Sequence, residues 1–162
     1  MTDKQYLKDL YWMGESIRES EKCPFDANAF AVGSVVVYDD GSDLGLELAR
    51  GYSRETGRIH AEESALSKID ADDPRLLKST IYTTLEPCSI RASGNKSLGF
   101  EGCAYLVLAR KIPRVVQAWS EPGTFVDCEG KELLRAANVE VVELHELADA
   151  AKENNLHLDL SA

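Results

Sequence analysis

The chain has 162 residues and a formal net charge of −10, and 44% of its residues are hydrophobic. This length fits one ordinary globular domain, and no apolar run reaches the 18 or so residues that a membrane span requires. An acidic protein repels phosphate backbones, so the charge argues against a nucleic-acid partner. The N-terminal stretch mixes both charge signs and lacks a signal-peptide core, so we expect a single domain over residues 1–162, located in the cytoplasm.

The first half of the chain predicts a helix, a hairpin and a second helix. Apolar residues recur at three- and four-residue spacing over residues 3–21, which is typical of an amphipathic helix. Residues 30–38 are apolar and β-branched, which favours a buried strand, and residues 44–53 predict a second strand. The short connection between them allows a hairpin but not a crossover, so the pairing should be antiparallel. A second helix is expected over residues 60–70.

In the second half, predicted strands alternate with predicted helices. The strands are expected over residues 80–85, 114–119 and 139–144. The helices are expected over residues 103–111, 131–138 and 145–155. Strands separated by helices pair in parallel through right-handed crossovers. The sequence therefore predicts an α/β fold, a three-layer α/β/α sandwich around a mixed five-stranded sheet.

A His-Ala-Glu motif opens the second predicted helix. His60 begins it, Cys88 follows a predicted strand, and Cys103 opens a later helix, so three candidate metal ligands lie at the ends of elements. Two cysteines and one histidine are a known catalytic zinc set that leaves a fourth tetrahedral position for water. Helix N-termini favour thiolate over thiol. Glu62 can lie over the metal without binding it and can move a proton.

This arrangement resembles the zinc-dependent cytidine-deaminase superfamily, whose signature is H-x-E followed by P-C-x-x-C. The stretches "YTTLEPCS" and "AFAVG" are similar to those of the riboflavin-pathway pyrimidine (diaminohydroxyphosphoribosylaminopyrimidine) deaminases. The resemblance implies a cytidine-deaminase-like fold, with Zn²⁺ held by His60, Cys88 and Cys103. It also implies that Glu62 is the catalytic proton carrier while water replaces an amino group on a heterocyclic ring and ammonia leaves.

The spacing of the cysteines departs from that signature. Residues 89–102 separate Cys88 from Cys103, whereas the signature has two residues between its cysteines. The glycines of this loop allow it to fold back, so that Cys103 returns to the metal at its helix start. We expect the loop to cover the metal.

Candidate substrate contacts come from three places: the segment before the first strand, the His-Ala-Glu motif and the long loop. The loop residues could grip a phosphate or another polar substituent, or they could form a solvated surface. The candidates are Asn28, Ala61, Arg91, Ser93, Asn95 and Lys96.

Five further residues receive more ordinary interpretations. Glu63 could assist proton transfer, but a solvated acid at the helix start is the favoured interpretation. Cys23 and Cys128 are expected to lie outside the metal site. The resemblance implies a homodimer or larger homo-oligomer, and Trp12 and Trp119 are expected to be structural or to lie at an oligomer face.

Two alternatives to a small-molecule deaminase stay open. One is a nucleic-acid editing deaminase of the tRNA adenosine type, against which the net charge and the acidic C-terminal stretch argue. The other is a non-catalytic, zinc-stabilised binding domain, which would need a fourth protein ligand and would leave Glu62 unexplained. The favoured prediction is a zinc-dependent hydrolytic deaminase of a small amino-heterocycle (an aminopyrimidine base, nucleoside or nucleotide, or a secondary-metabolite precursor), with no nucleic-acid or membrane partner.

Overall fold

The computed structural model describes residues 2–91, 94, 96–120, 122 and 128–158. In this part of the chain five strands form one sheet with the order β2-β1-β3-β4-β5. The strands are β1 Gly33–Tyr38, β2 Leu46–Tyr52, β3 Ser79–Leu85, β4 Arg114–Trp119 and β5 Glu140–Glu143. β1 pairs antiparallel with β2 and β3, whereas β3, β4 and β5 pair in parallel. The predicted hairpin and the predicted mixed sheet are confirmed.

Helices cover both faces of this sheet. They are α1 Asp3–Ser20, α2 Ala61–Ser67, α3 Cys103–Ala109, α4 Gly130–Ala136 and α5 Ala148–Lys152. Short 3-10 helices span Pro74–Lys78, His145–Leu147 and Glu153–Asn155. No helix in the described ranges is both long and apolar enough to cross a membrane.

The hydrophobic core has two parts, one on each face of the sheet. Ala65 and Leu66 of α2 and the buried apolar side chains of α3 and α4 pack with Val36. The buried apolar side chains of α1 and α5 pack with Val35. These neighbouring valines of β1 are both fully buried, because successive side chains of a strand point to opposite faces. The predicted three-layer α/β/α sandwich is confirmed.

Two element boundaries differ from the sequence-based expectation. The apolar pattern predicts a strand from residue 30, but β1 begins at Gly33. The backbone N–H and C=O of Ala31 pair instead with the buried side chain of Asn155, at 2.7 and 3.0 Å. The predicted helix over residues 145–155 is also interrupted, since only α5 is α-helical and 3-10 helices flank it.

Trp12 and Trp119 do not form a surface for assembly. Trp12 is 6% exposed and Trp119 is 5% exposed, and both belong to the core on the α1 and α5 face. The indole N–H of Trp12 donates to the backbone oxygen of Leu44 at 2.7 Å. Both rings are therefore part of the packed interior, which agrees with the structural interpretation and not with an oligomer face.

Candidate metal centre and the adjoining cavity

Three candidate ligand side chains meet where β3 ends and where α2 and α3 begin. His60 precedes α2, Cys88 lies just after β3, and Cys103 is the first residue of α3. The Nδ1 atom of His60 lies 3.5 Å from the Cys88 sulfur and 3.6 Å from the Cys103 sulfur. All three ligand atoms lie within 4.8 Å of one another.

The spacing of these atoms fits a zinc ion. Zinc binds cysteine sulfur at about 2.3 Å and histidine nitrogen at about 2.0–2.1 Å in tetrahedral geometry, which puts such a sulfur and nitrogen about 3.5 Å apart. The observed N···S distances of 3.5 and 3.6 Å therefore need almost no adjustment. Among the described residues this is the one group of histidine, cysteine or acidic side chains close enough to share an ion.

One of the two thiols is already favoured as the thiolate. A hydrogen bond with Cys103 lowers the pKa of the Cys88 thiol to about 4, and His60 acts in the same direction. The same hydrogen bond, together with burial, raises the pKa of Cys103. Since cysteine binds metal as the thiolate, binding of a divalent cation would release the remaining proton.

The long loop returns to the metal centre through a close backbone contact. The backbone N–H of Ala104 donates to the backbone oxygen of Cys88 at 3.0 Å. A Cβ atom at Gly102 would lie 2.4 Å from that same oxygen, so a residue with a side chain cannot pack there without a shift of the backbone. Glycine at this position lets α3 start against Cys88 in spite of the loop's length.

Glu62 lies beside the ligand group and is 4% exposed. Its Oε1 atom accepts a hydrogen bond from the Thr83 hydroxyl at 2.8 Å. Burial raises the pKa of the Glu62 carboxyl above its ordinary value. No ion pair within the described residues joins it to a lysine or arginine, and burial outweighs the neighbouring His60, which acts to lower the pKa of Glu62.

A cavity of about 410 Å³ opens beside the ligand group. Its volume lies within the range of small-molecule sites, which is about 300–1,000 Å³. Its polar and charged lining residues are Asp26, Asn28, Ser53, Arg54, Arg58, His60, Glu62, Glu86 and Arg91. The cavity therefore places a small ligand next to both the candidate metal ligands and the Glu62 carboxylate.

Only some of the candidate substrate residues line this cavity. Asn28, Ala61 and Arg91 line it, but Lys96 does not. The Lys96 ammonium lies on the exposed side of the loop, 3.8 Å from a carboxylate oxygen of Glu101. Two further candidates, Ser93 and Asn95, lie outside the described residues.

Sequence reasoning missed two arginines of the cavity. Arg54 and Arg58 line it, although their spacing along the chain resembles ordinary solvated surface. Arg54 is fixed by donating to the backbone oxygens of Phe30 and Pro24, at 2.9 and 2.7 Å. Their position in the sequence just before His60 could have predicted this placement, since it brings them to the same end of the sheet as the candidate metal ligands.

The expectation for Glu63 is wrong, whereas that for the remaining cysteines agrees with the structure. Glu63 is 6% exposed rather than solvated, because the loop between the cysteines covers it.

The thiol of Cys23 donates to the backbone oxygen of Val32, and that of Cys128 donates to the backbone oxygen of Pro87, each at 3.5 Å. Neither cysteine belongs to the ligand group.

Comparison with known proteins bears directly on this site. Residues 7–119 match the family model described as the cytidine and deoxycytidylate deaminase zinc-binding region. The chain belongs to this family. The match includes all three candidate ligands and Glu62, so the family's zinc-binding region coincides with the group seen in the structure.

A relative and two solved structures are similar over most of this deaminase-family chain. The diaminohydroxyphosphoribosylamino-pyrimidine deaminase of Schizosaccharomyces pombe is 38% identical over 143 residues, which cover 86% of this chain and 33% of the relative. A diaminohydroxyphosphoribosylaminopyrimidine deaminase/5-amino-6-(5-phosphoribosylamino)uracil reductase from Thermotoga maritima is 26% identical with a TM-score of 0.74, covering 92% of this chain and 39% of that one. The Rib2 deaminase of Aspergillus oryzae, as a C-terminal deletion mutant, is 26% identical with a TM-score of 0.68, covering 90% and 93%. The cytidine-deaminase-like fold is thereby confirmed, and the chain spans about a third of the length of the curated relatives it matches.

Proposed function

We propose that residues 1–162 form a single zinc-dependent hydrolytic deaminase domain that acts on a small aminopyrimidine of the riboflavin-pathway type. The observation that carries the proposal is one cavity lined by His60, Cys88 and the buried Glu62 carboxylate, with Cys103 completing the His-Cys-Cys group beside it. The names of the relatives support the substrate class, since two of them are diaminohydroxyphosphoribosylaminopyrimidine deaminases. The net charge of −10 supports a small molecule over a nucleic acid.

His60, Cys88 and Cys103 would hold the zinc ion. When bound, zinc activates water near neutral pH by lowering the pKa of that water to about 7. The described residues offer three ligands, and a closed structural site would need a fourth from the protein. This donor set therefore supports a catalytic site over a purely structural one.

Glu62 would move the protons of the reaction. Its raised pKa allows it to accept a proton from the attacking water and pass it to a ring nitrogen. It would then take the second proton from the hydroxyl group added to the ring carbon and deliver it to the leaving amine, which departs as ammonia while the ring carbon keeps the oxygen as a carbonyl. The Thr83 hydroxyl, bonded to Oε1 at 2.8 Å, would hold the carboxylate in place through both transfers.

The walls of the cavity would orient the heterocycle. Asn28 and Arg91 supply polar groups, and Ala61 supplies a small apolar surface next to His60. Arg54 and Arg58 add positive charge to the same cavity, although the protein as a whole is acidic. This local charge suits a substrate that carries an anionic or strongly polar substituent.

The proposal includes a homodimer or larger homo-oligomer in the cytoplasm, whose reducing conditions keep the two ligand thiols available. Four apolar side chains on or near the loop between the cysteines are 36–49% exposed, and they are candidate contacts between copies. They are Ile90, Leu98, Phe100 and Tyr105. Light scattering at micromolar concentration tests this, and a monomer would contradict it.

Ammonia release from a substrate panel tests the proposed activity. The panel contains the diaminohydroxyphosphoribosylaminopyrimidine, its free base, cytidine, dCMP and a tRNA. We expect zinc-dependent ammonia release from the aminopyrimidine nucleotide, lost on chelation and restored by zinc. Release only from tRNA would favour the editing alternative, and no release from any substrate by zinc-loaded protein would contradict the proposal.

A further inference from the structure

Glu63 joins the two segments that carry the candidate zinc ligands. One oxygen of its carboxylate accepts from the backbone N–H of His60 at 3.3 Å and from the Arg91 guanidinium at 3.1 Å. The other oxygen accepts from the backbone N–H of Leu98 at 2.8 Å. A single carboxylate therefore bonds to the backbone of one ligand and to two points on the loop between Cys88 and Cys103.

Arg91 is buried in the same contact. Its side chain is 4% exposed and that of Glu63 is 8% exposed. Its guanidinium also donates to the backbone oxygens of Lys96, at 3.2 Å, and Arg58. The cation thus bonds to its own loop, to the segment just before His60 and to α2.

We propose that Glu63 and Arg91 form a buried clamp, defined by their ion pair, that positions the loop between the two cysteines against His60 and thereby raises the affinity of the site for zinc. Both act as positioning residues, since neither is among the three candidate ligands. The inference rests on the zinc site proposed above.

The two members of the clamp depend on each other because both side chains are buried. Removal of either partner leaves a buried, unpaired charge, whereas removal of both leaves none. The loop between Cys88 and Cys103 has fourteen residues. Without the bonds to Glu63 it could adopt many conformations that move Cys103 away from His60. Residues that orient metal ligands in this way typically change metal affinity by about 10–100-fold when they are replaced.

Zinc dissociation constants, measured by competition with a chromophoric chelator, test the clamp in four proteins. They are the wild type, Glu63→Gln, Arg91→Met and the double variant. We expect each single substitution to weaken zinc binding by about 10–100-fold. We expect the double variant to lose less than the product of the two single losses, because neither charge is then left unpaired.

A matched control comes from the other end of α2. Glu55, which precedes this helix, pairs at 2.8 Å with Lys68, the residue that ends it, and the partners it bonds to lie outside the loop, so Glu55→Gln should leave zinc affinity unchanged. Trypsin supplies a readout that a general loss of stability would not produce. Zinc-free Glu63→Gln should be cut after Lys96 faster than the wild type, at a temperature where both proteins are folded.

The outcomes separate the clamp from the zinc site itself. A wild type that binds no zinc would contradict the proposed function. A wild type that binds zinc, with Glu63→Gln and Arg91→Met binding equally well, would overturn the clamp alone, as would single losses that multiply in the double variant. If Glu63→Gln does not fold, Arg91→Lys replaces it, since lysine keeps the charge but has one nitrogen where two guanidinium nitrogens reach the acceptors, and wild-type affinity in that variant would also overturn the clamp.

Discussion

Two buried carboxylates, Asp9 and Glu62, lie in different regions of the molecule and have opposite surroundings. Asp9 lies on α1 and is fully buried. It accepts two hydrogen bonds from Arg114, at 2.8 and 2.6 Å, and one from the Tyr82 hydroxyl at 2.7 Å. Gln5 donates a further bond at 2.9 Å. The bonds from Tyr82 and Arg114 tie α1 to strands β3 and β4.

Glu62 is almost as buried as Asp9 but accepts fewer hydrogen bonds from side chains. It has the Thr83 hydroxyl as a donor and no arginine or lysine ion pair within the described chain. Burial raises the pKa of Glu62 in spite of the neighbouring His60, whereas Asp9 is paired with a guanidinium. The comparison indicates that a fully bonded carboxylate serves stability, and that an incompletely bonded carboxylate beside a cavity is available for proton transfer.

The largest expected effect is on turnover and comes from Glu62→Gln. Glutamine keeps the shape of the side chain but cannot accept the proton, so turnover should fall by about 10³-fold or more. Zinc content and the thermal unfolding temperature should stay as in the wild type. Steady-state ammonia release at matched zinc content measures this, with Glu101→Gln, an exposed acid of the covering loop, as the control. Turnover within tenfold of the wild type would remove Glu62 from the proposed mechanism.

The next effect is on stability and comes from Asp9→Asn. This change leaves the Arg114 guanidinium without its buried partner, so the free energy of unfolding should fall by about 3–5 kcal/mol. Zinc affinity and turnover per folded molecule should not change. Urea unfolding measures the loss, and Asp43→Asn, which breaks an exposed pair with Lys4, serves as the control. Wild-type stability of Asp9→Asn together with impaired zinc binding would contradict the structural role assigned to Asp9.

A smaller effect concerns alkaline pH and Tyr82. Burial, and then the Asp9 charge, raise the pKa of the Tyr82 hydroxyl in the folded protein. The unfolded chain therefore loses this proton first, and the stabilisation is present below about pH 10 and lost as the pH rises above it. Above pH 10, the free energy of unfolding should fall more steeply for the wild type than for Tyr82→Phe, by up to about 1.4 kcal/mol per pH unit. Equal slopes between pH 10 and 11.5 would contradict the assignment.

The sequence predicted the sheet and the ligand group for reasons that are local. The valines of β1 and the alternation of strands and helices specify the order of elements, because hydrophobic periodicity follows from the local chain geometry. His60, Cys88 and Cys103 were predictable because each stands at a recognisable end of a strand or helix.

The features that escaped prediction depend on contacts between distant segments. Glu63 resembles a solvated acid until the loop carrying Arg91 covers it. The early start predicted for β1 fails because Asn155, far along the chain, pairs with the backbone of Ala31. Neither partner could be identified from spacing, since long-range pairing leaves no periodic signal in one sequence.

The most direct test of the account is the zinc content of purified protein, measured by elemental analysis for the wild type and for the Cys88→Ala/Cys103→Ala double variant. We expect one zinc per wild-type chain and none in the double variant, because His60 alone cannot hold the ion. A wild type with almost no zinc after purification without chelators, or a double variant that keeps its full zinc content, would contradict the assignment of the metal centre.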